Sequence, residues 1–272
     1  MSKKILGKLG AIIISLTMVI SLVACGKNTA SNEAKSKVDK IKESGKLVIG
    51  TCADYPPYEF HKTINGKDEI VGFDITIAKE IAKDLGVKLE IKDMKFDGLL
   101  AALQSGNVDM VIAGMNPTED RKKSVDFSKI YYQAIQSVVV RAEDKDKFKS
   151  IEDFKGKKIG VQKGTTQEEV AKKEMTNSEI KSLGKVTDLV LELQNKKVDG
   201  LVLENPVAVS YAKNGKNLAV SNVKFENKDK GASVAVKKGN KELVDAIDKT
   251  LDKLIKEKSI DKFVTDANEQ VE

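Results

Sequence analysis

Short apolar runs alternate with stretches of helical periodicity from Val38 onward, and this rhythm restricts the possible folds more than any other feature of the chain. Residues 46–50 read as a strand. Residues 74–85 place Ile77, Ala78, Ile81, Ala82 and Leu85 on one helical face, and Gly86 stops the helix. Strand-like 87–91, helical 96–104 and strand-like 108–113 follow. The same order returns at 157–161, 168–175, 181–183, 186–193 and 198–203. Alternation of this kind implies α/β architecture, with parallel sheets carrying helices on their faces.

Two strand-like stretches, 134–140 and 231–236, fall outside the rhythm and bracket a block large enough to be an inserted lobe. The chain is thus expected to build lobe one from 38–137, cross into lobe two over 138–229, and return for 230–272. There Leu243, Ala246, Ile247, Leu251, Leu254 and Ile255 would close the first lobe as an amphipathic helix. Two crossings make a hinge. The cleft between two such lobes lies at the carboxyl ends of their strands, where open α/β sheets bind ligands.

Residues 1–8 carry three lysines and no acid, and 9–24 form an apolar run ending Leu22, Val23, Ala24, Cys25. This reads as a secretory signal rather than a membrane anchor, because the run is at the short end of what spans a bilayer. Its ending resembles a bacterial lipobox. That implies cleavage after residue 24, lipid on Cys25, and a cell-membrane location on the extracytoplasmic side. Residues 25–37, polar and without an apolar period, read as a flexible tether. Removing 1–24 lowers the net charge from +6 to +3, so most of the basicity is split between the export segment and scattered surface lysines. Nucleic acid is not implied as a partner. With Cys25 lipidated, Cys52 has no partner within the chain, so stability must come from packing.

Residues 113–121, Ala-Gly-Met-Asn-Pro-Thr-Glu-Asp-Arg, supply the chemistry. At the end of an apolar strand they set flexible backbone at Gly114, an amide at Asn116, a helix start at Thr118 and one guanidinium at Arg121. A carboxylate suits this set: it can accept a two-pronged bond from Arg121 and further bonds from Asn116 and main-chain N–H groups near Gly114. A second segment, Gly164-Thr165-Thr166, precedes another helix start whose unpaired N–H groups favour an anion, and its threonines can also cap that helix.

Gly50-Thr51, Tyr55-Pro56-Pro57-Tyr58-Glu59-Phe60, Gly72-Phe73-Asp74-Ile75, Gly114 to Arg121, Asp126-Phe127-Ser128 and Gly160 to Thr166 stand in an order that resembles the polar amino-acid solute-binding proteins of ABC importers. The resemblance spans roughly residues 38–264. It implies a periplasmic-binding-protein-like type II fold, two α/β lobes joined by two hinge strands, closing on one free polar amino acid that is delivered to a membrane permease. A monomer without a cofactor is expected. By this resemblance Arg121 holds the ligand's α-carboxylate, helped by Gly114, Asn116 and, from lobe two, Thr166. Glu204 holds the ammonium, where relatives more often carry Asp. Tyr55 and Phe96 wall the ligand side chain, and Gln162 is available for a polar side-chain contact. Asp54, Met115 and Thr165 are further candidate contacts. An acid frequent in the family aligns with Cys52, and Thr76 replaces another acid at a signature position.

Enzymatic alternatives have little support in the residues. A Ser-His-acid or Cys-His arrangement needs histidine, and the single one, His61, sits in a charged stretch before Asn65-Gly66. No phosphate-binding Gly-Lys-Ser/Thr loop and no His/Cys metal cluster occurs in the sequence. Two other functions fit the same fold: a dehydratase using Glu204 or Asp54 as acid on a small carboxylate, and a tethered ligand sensor.

Overall fold

The computed structural model describes residues 35–215, 217–225 and 231–271; the signal segment 1–24, Cys25 and the tether as far as residue 34 lie outside them. The tether expectation ran to Lys37, but α1 (Lys37–Ser44) begins there. Ser36 caps that helix by accepting from the Asp39 N–H, which a short polar residue does well.

β1 (Lys46–Thr51) follows α1, and β2 (Asp54–Tyr55) lies just beyond it. A hairpin of β3 (Glu59–Ile64) and β4 (Lys67–Val71) turns on Asn65-Gly66, both at positive φ as such a two-residue turn requires. Next come α2 (Phe73–Leu85), β5 (Lys88–Asp93), a 3-10 turn (Phe96–Gly98) running into α3 (Leu99–Ser105), β6 (Met110–Val111), α4 (Glu119–Ser124) and β7 (Val125–Tyr132). β8 (Gln136–Arg141), β9 (Lys158–Gln162), α5 (Thr166–Glu174), β10 (Glu179–Leu183), α6 (Val186–Gln194), β11 (Gly200–Glu204), α7 (Asn205–Asn214) and β12 (Leu218–Val220) form the next block. β13 (Ala232–Lys237), α8 (Lys241–Lys256) and α9 (Ser259–Val271) complete the described chain.

The strands make two five-stranded sheets, ordered β5-β1-β6-β13-β7 and β10-β9-β11-β8-β12, and the small sheet β2-β3-β4. The chain passes from the first sheet to the second between Tyr132 and Gln136, and back between Val220 and Ala232. Gln136 and Ser137, placed in lobe one by the sequence reading, pair with Glu204 and Leu203 in the second sheet. The sheets are mixed where all-parallel ones were expected. β1 runs parallel to β5 and β6, and β9 parallel to β10 and β11, whereas β13 and β8 run antiparallel to both their neighbours. These two reversed strands are the ones outside the helix–strand rhythm, since a strand entering from the other lobe arrives without a crossover helix.

Helix α2 illustrates how the pattern becomes packing. Ile75, Ile77, Ala78, Ile81, Ala82 and Leu85 are all buried on its inner face, each large aliphatic side chain contributing roughly 1.5–3 kcal/mol. Gly86 ends the helix in the left-handed region, its N–H reaching the carbonyls of Ala82 and Lys83. In α8 the buried stripe is Leu243, Ile247, Leu251 and Leu254; Ile255, assigned to that stripe from its spacing, is 44% exposed. His61 lies on β3, half exposed, with Nδ1 2.8 Å from Asp68. Its Nε2 stands 3.6 Å from Asp93.

Candidate ligand-binding site

The carboxyl ends of β1, β6, β9 and β11 converge where the two large sheets face each other, and nearly every singled-out residue stands there. After β6, Gly114 adopts φ 54°, and its N–H donates to Asp74 Oδ2 at 2.9 Å. This main-chain donor, expected to serve a bound carboxylate, is thus engaged by a buried side chain. Met115 is buried, and its carbonyl accepts from the Ser233 N–H at 2.9 Å. Asn116, 3% exposed, spans the cleft: Nδ2 donates to the Gly231 carbonyl at 3.0 Å and Oδ1 accepts from Thr166 Oγ1 at 2.7 Å.

Thr118 caps α4 by accepting the Arg121 N–H, which fixes where the guanidinium leaves the helix. Arg121 then reaches into the groove. Nη1 donates to the Asn116 carbonyl and Nη2 to the Gly164 carbonyl in the other lobe, both at 2.8 Å. Its Cζ stands 5.4 Å from the centre of the Phe96 ring, a cation–π arrangement. Phe96 opens the 3-10 turn after β5 and is buried.

Thr165 caps α5, accepting the Glu168 N–H at 3.2 Å while donating to the Gln162 carbonyl at 2.6 Å. The capping alternative therefore holds for Thr165, and Thr166 is the one that reaches across. Gln162 is buried at the end of β9, its Nε2 3.3 Å from the Gly184 carbonyl and 3.5 Å from Asp54 Oδ1.

Glu204 ends β11 and precedes α7, 2% exposed. Tyr58 donates its hydroxyl to Glu204 Oε2, and the Glu204 N–H donates to the Tyr55 hydroxyl at 3.2 Å. A cation on lobe one and an anion on lobe two thus both take partners from the opposite lobe. Burial, then the adjacent Glu204 charge, pushes the Tyr58 phenol well up, so it stays a donor at neutral pH.

Between these groups lies a narrow cavity whose wall includes Tyr55, Phe96, Gly114, Asn116, Gln162 and Thr165, with Cys52, Glu59 and Gln167. It leaves the centre of a water molecule about 10 Å³ of room, enough for roughly one water. An amino acid needs more, so the lobes must part to admit one. Arg121, Thr166, Glu204, Asp54 and Met115 are not in this wall. The first four of them instead tie the lobes together.

Sequence reading gave no ligand-binding role to Cys52, Tyr58, Glu59 or Gln167. Cys52 is a buried free thiol whose acidity falls because of burial and then the nearby Asp54 charge, so it remains a thiol. Glu59 and Asp74 are fully buried together, and Glu59 Oε2 and Asp74 Oδ1 have no N–H or hydroxyl donor. Burial and then the Asp74 charge push Glu59 well up; burial pushes Asp74 up to about 6, against the pull of the Gly114 N–H and the Tyr131 hydroxyl. The pair is satisfied when it shares one proton.

That sharing has a testable sign. The folded pair holds its proton to higher pH than the unfolded chain does, so its contribution to stability is greatest below about 4. It declines as pH rises through about 6, where Asp74 gives up its proton, and keeps declining for as long as Glu59, also pushed well up, holds the last one. Glu59→Gln supplies a permanent N–H in place of the proton. The variant's melting temperature should gain on the parent's between pH 4 and 7, and parallel melting curves across that range would contradict the shared proton.

Two facing α/β lobes, crossed twice by the chain and bearing Arg121 on α4 of one and Glu204 at the end of β11 of the other, define a two-lobed type II binding protein. The chain belongs to the bacterial extracellular solute-binding proteins, family 3, whose model matches residues 47–266. It is 36% identical over 245 residues, 88% of this chain and 89% of the relative, to the arginine-binding extracellular protein ArtP of Bacillus subtilis (strain 168). To the ABC transporter glutamine-binding protein GlnH of the same strain it is 33% identical over 251 residues, covering 89% and 90%. Among solved structures, an amino acid ABC transporter substrate-binding protein from Streptococcus pneumoniae Canada MDR_19A bound to L-arginine superposes with TM-score 0.84 at 38% identity. That match covers 86% of this chain and 98% of the other.

Proposed function

We propose that this protein is the extracytoplasmic substrate-binding component of an ABC amino-acid importer, and that it captures a free amino acid with a cationic side chain. The carrying observation is the opposed pair, Arg121 on lobe one and Glu204 on lobe two, which suits the two ends of a zwitterion. Arg121 would take the α-carboxylate with Asn116 and Thr166, and Glu204 the ammonium. Only a ligand touching both lobes shifts the population towards closure.

Two features favour a cationic side chain. Glu59 is a carboxyl in the cavity wall, and a guanidinium or ammonium reaching it would draw off its proton. Relatives named for arginine stand among the matches on both the sequence and the structure side. Tyr55 and Phe96 would cover the alkyl stem, with Gln162 beside it. Binding should therefore release protons, seen as a dependence of the calorimetric enthalpy on the buffer's ionisation enthalpy.

A thermal-shift panel of the twenty amino acids tests both parts, because a ligand that binds only the folded form raises its melting point. Arginine and lysine should give the largest shifts. Equal shifts from neutral amino acids would remove the cationic preference, and turnover of a prephenate-like acid would replace carrier by dehydratase. Tyr55→Ala should change preference among amino acids by about 1 kcal/mol while weakening glycine less; equal losses across the panel would count against a side-chain wall.

The lipobox reading of residues 22–25 supports a lipid tether at Cys25 on the outer face of the cell membrane, and a monomer with a permease as partner belongs to the same proposal. Mass spectrometry of the mature amino terminus, with Cys25→Ala as control, tests the tether.

A further inference from the structure

We propose that Asp54 is a closure latch, a lobe-one carboxylate that caps helix α6 of lobe two and draws the lobes together whichever amino acid lies between them. This rests on the capture-by-closure reading and assigns Asp54 a positioning role in place of ligand contact.

Asp54 Oδ2 accepts the N–H of Val186, the first residue of α6, at 2.6 Å. The residue before it, Lys185, occupies the cap position of α6 but makes no capping side-chain hydrogen bond, so the helix's own sequence supplies no cap. An unpaired N–H at a helix start favours an anion, and here the anion belongs to the other lobe. The main-chain oxygen of Asp54 accepts the Tyr211 hydroxyl of α7 at 2.7 Å, a second bond into lobe two. Beside it, Asp93 accepts the Ala53 N–H at 2.8 Å and pairs with Lys185 Nζ at 2.9 Å. Two consecutive lobe-two residues thus each meet a lobe-one carboxylate. Asp54 is 3% exposed and is not in the cavity wall, so its partners are protein groups. Opening the lobes would return its carboxylate and the Val186 N–H to water.

The test reads lobe separation directly in purified protein without added amino acid, using unnatural-amino-acid spin labels at the exposed positions Lys79 and Lys173. Asp54→Ala should move the distance distribution towards the open form. Asp54→Asn, whose side-chain oxygen can still accept the Val186 N–H, should restore the parent distribution, and Tyr211→Phe should shift it part of the way. With arginine, lysine and glutamine added in turn, Asp54→Ala should lose roughly tenfold in affinity for each ligand the parent binds, and Asp54→Asn much less. Unchanged distances in Asp54→Ala would overturn the latch, as would a loss confined to cationic ligands. If the parent binds no amino acid, the capture reading fails, and the label distances still decide the latch.

Discussion

Alanine at position 121 should abolish most of the affinity for every free amino acid, a loss of about 2 to 5 kcal/mol by titration calorimetry. Within lobe one the guanidinium is held by the Asn116 carbonyl and lies against Phe96, so its direction is kept when the lobes part. A carboxylate entering between the lobes would replace neutral acceptors with a charged one, and the planar fork matches its two oxygens. Lysine keeps the charge but not the fork, so Arg121→Lys should recover only part of the loss. Affinity within twofold of the parent in Arg121→Ala would mean that the carboxylate is bound elsewhere.

Gly72→Ala should destabilise the fold by more than about 4 kcal/mol, or prevent folding altogether. Gly72 adopts φ 124°, and a Cβ there would come within 2.2 Å of the Tyr58 carbonyl oxygen and 2.8 Å of that of Pro57. Those atoms cannot simply retreat, because the same carbonyls accept from Asp74 N–H at 2.9 Å and Phe73 N–H at 3.0 Å. These bonds join the start of α2 to the loop carrying Tyr55 and Tyr58, so the glycine keeps that loop in place. Gly86→Ala is the control: φ is 74°, nothing lies within 4 Å of the added carbon, and the cost should be about 1 kcal/mol. Urea titration of both variants measures the contrast. Similar midpoints would show that the 57–58 loop yields.

Much of this architecture was legible because apolar spacing is local. Residues 74–85 showed a helical face and a glycine stop, and the structure forms α2 over Phe73–Leu85. The β3–β4 hairpin escaped although Asn65-Gly66 announces its turn: its strands carry His61, Lys62, Lys67, Asp68 and Glu69 in place of an apolar alternation. Helix α7 was passed over because its buried face is small, essentially Val207, Ala208 and Ser210. Strand direction was not legible either. Whether β8 runs with or against β11 depends on where the chain re-enters the sheet, and no local periodicity encodes that.

Within the cleft, residue types that stand out one at a time were found, and those that matter in pairs were not. Arg121 stands out as the guanidinium of the helix start that follows β6, and Glu204 as a charge closing an apolar strand. Glu59 was noticed only as part of a motif, since its proximity to Asp74 is created by the hairpin folding back over α2. Asp54 was seen as a possible ligand contact because the sequence could not show the start of α6 arriving from the other lobe.

The antiparallel ladder between β7 and β13 ends on the register pair Tyr132 and Ala232. Strand ends already side by side need only a tight two-residue turn to connect them. An Asn-Gly splice there would excise the whole second lobe and leave the five strands of the first sheet in their native order, giving a half-molecule in which the guanidinium side of the cleft is studied alone.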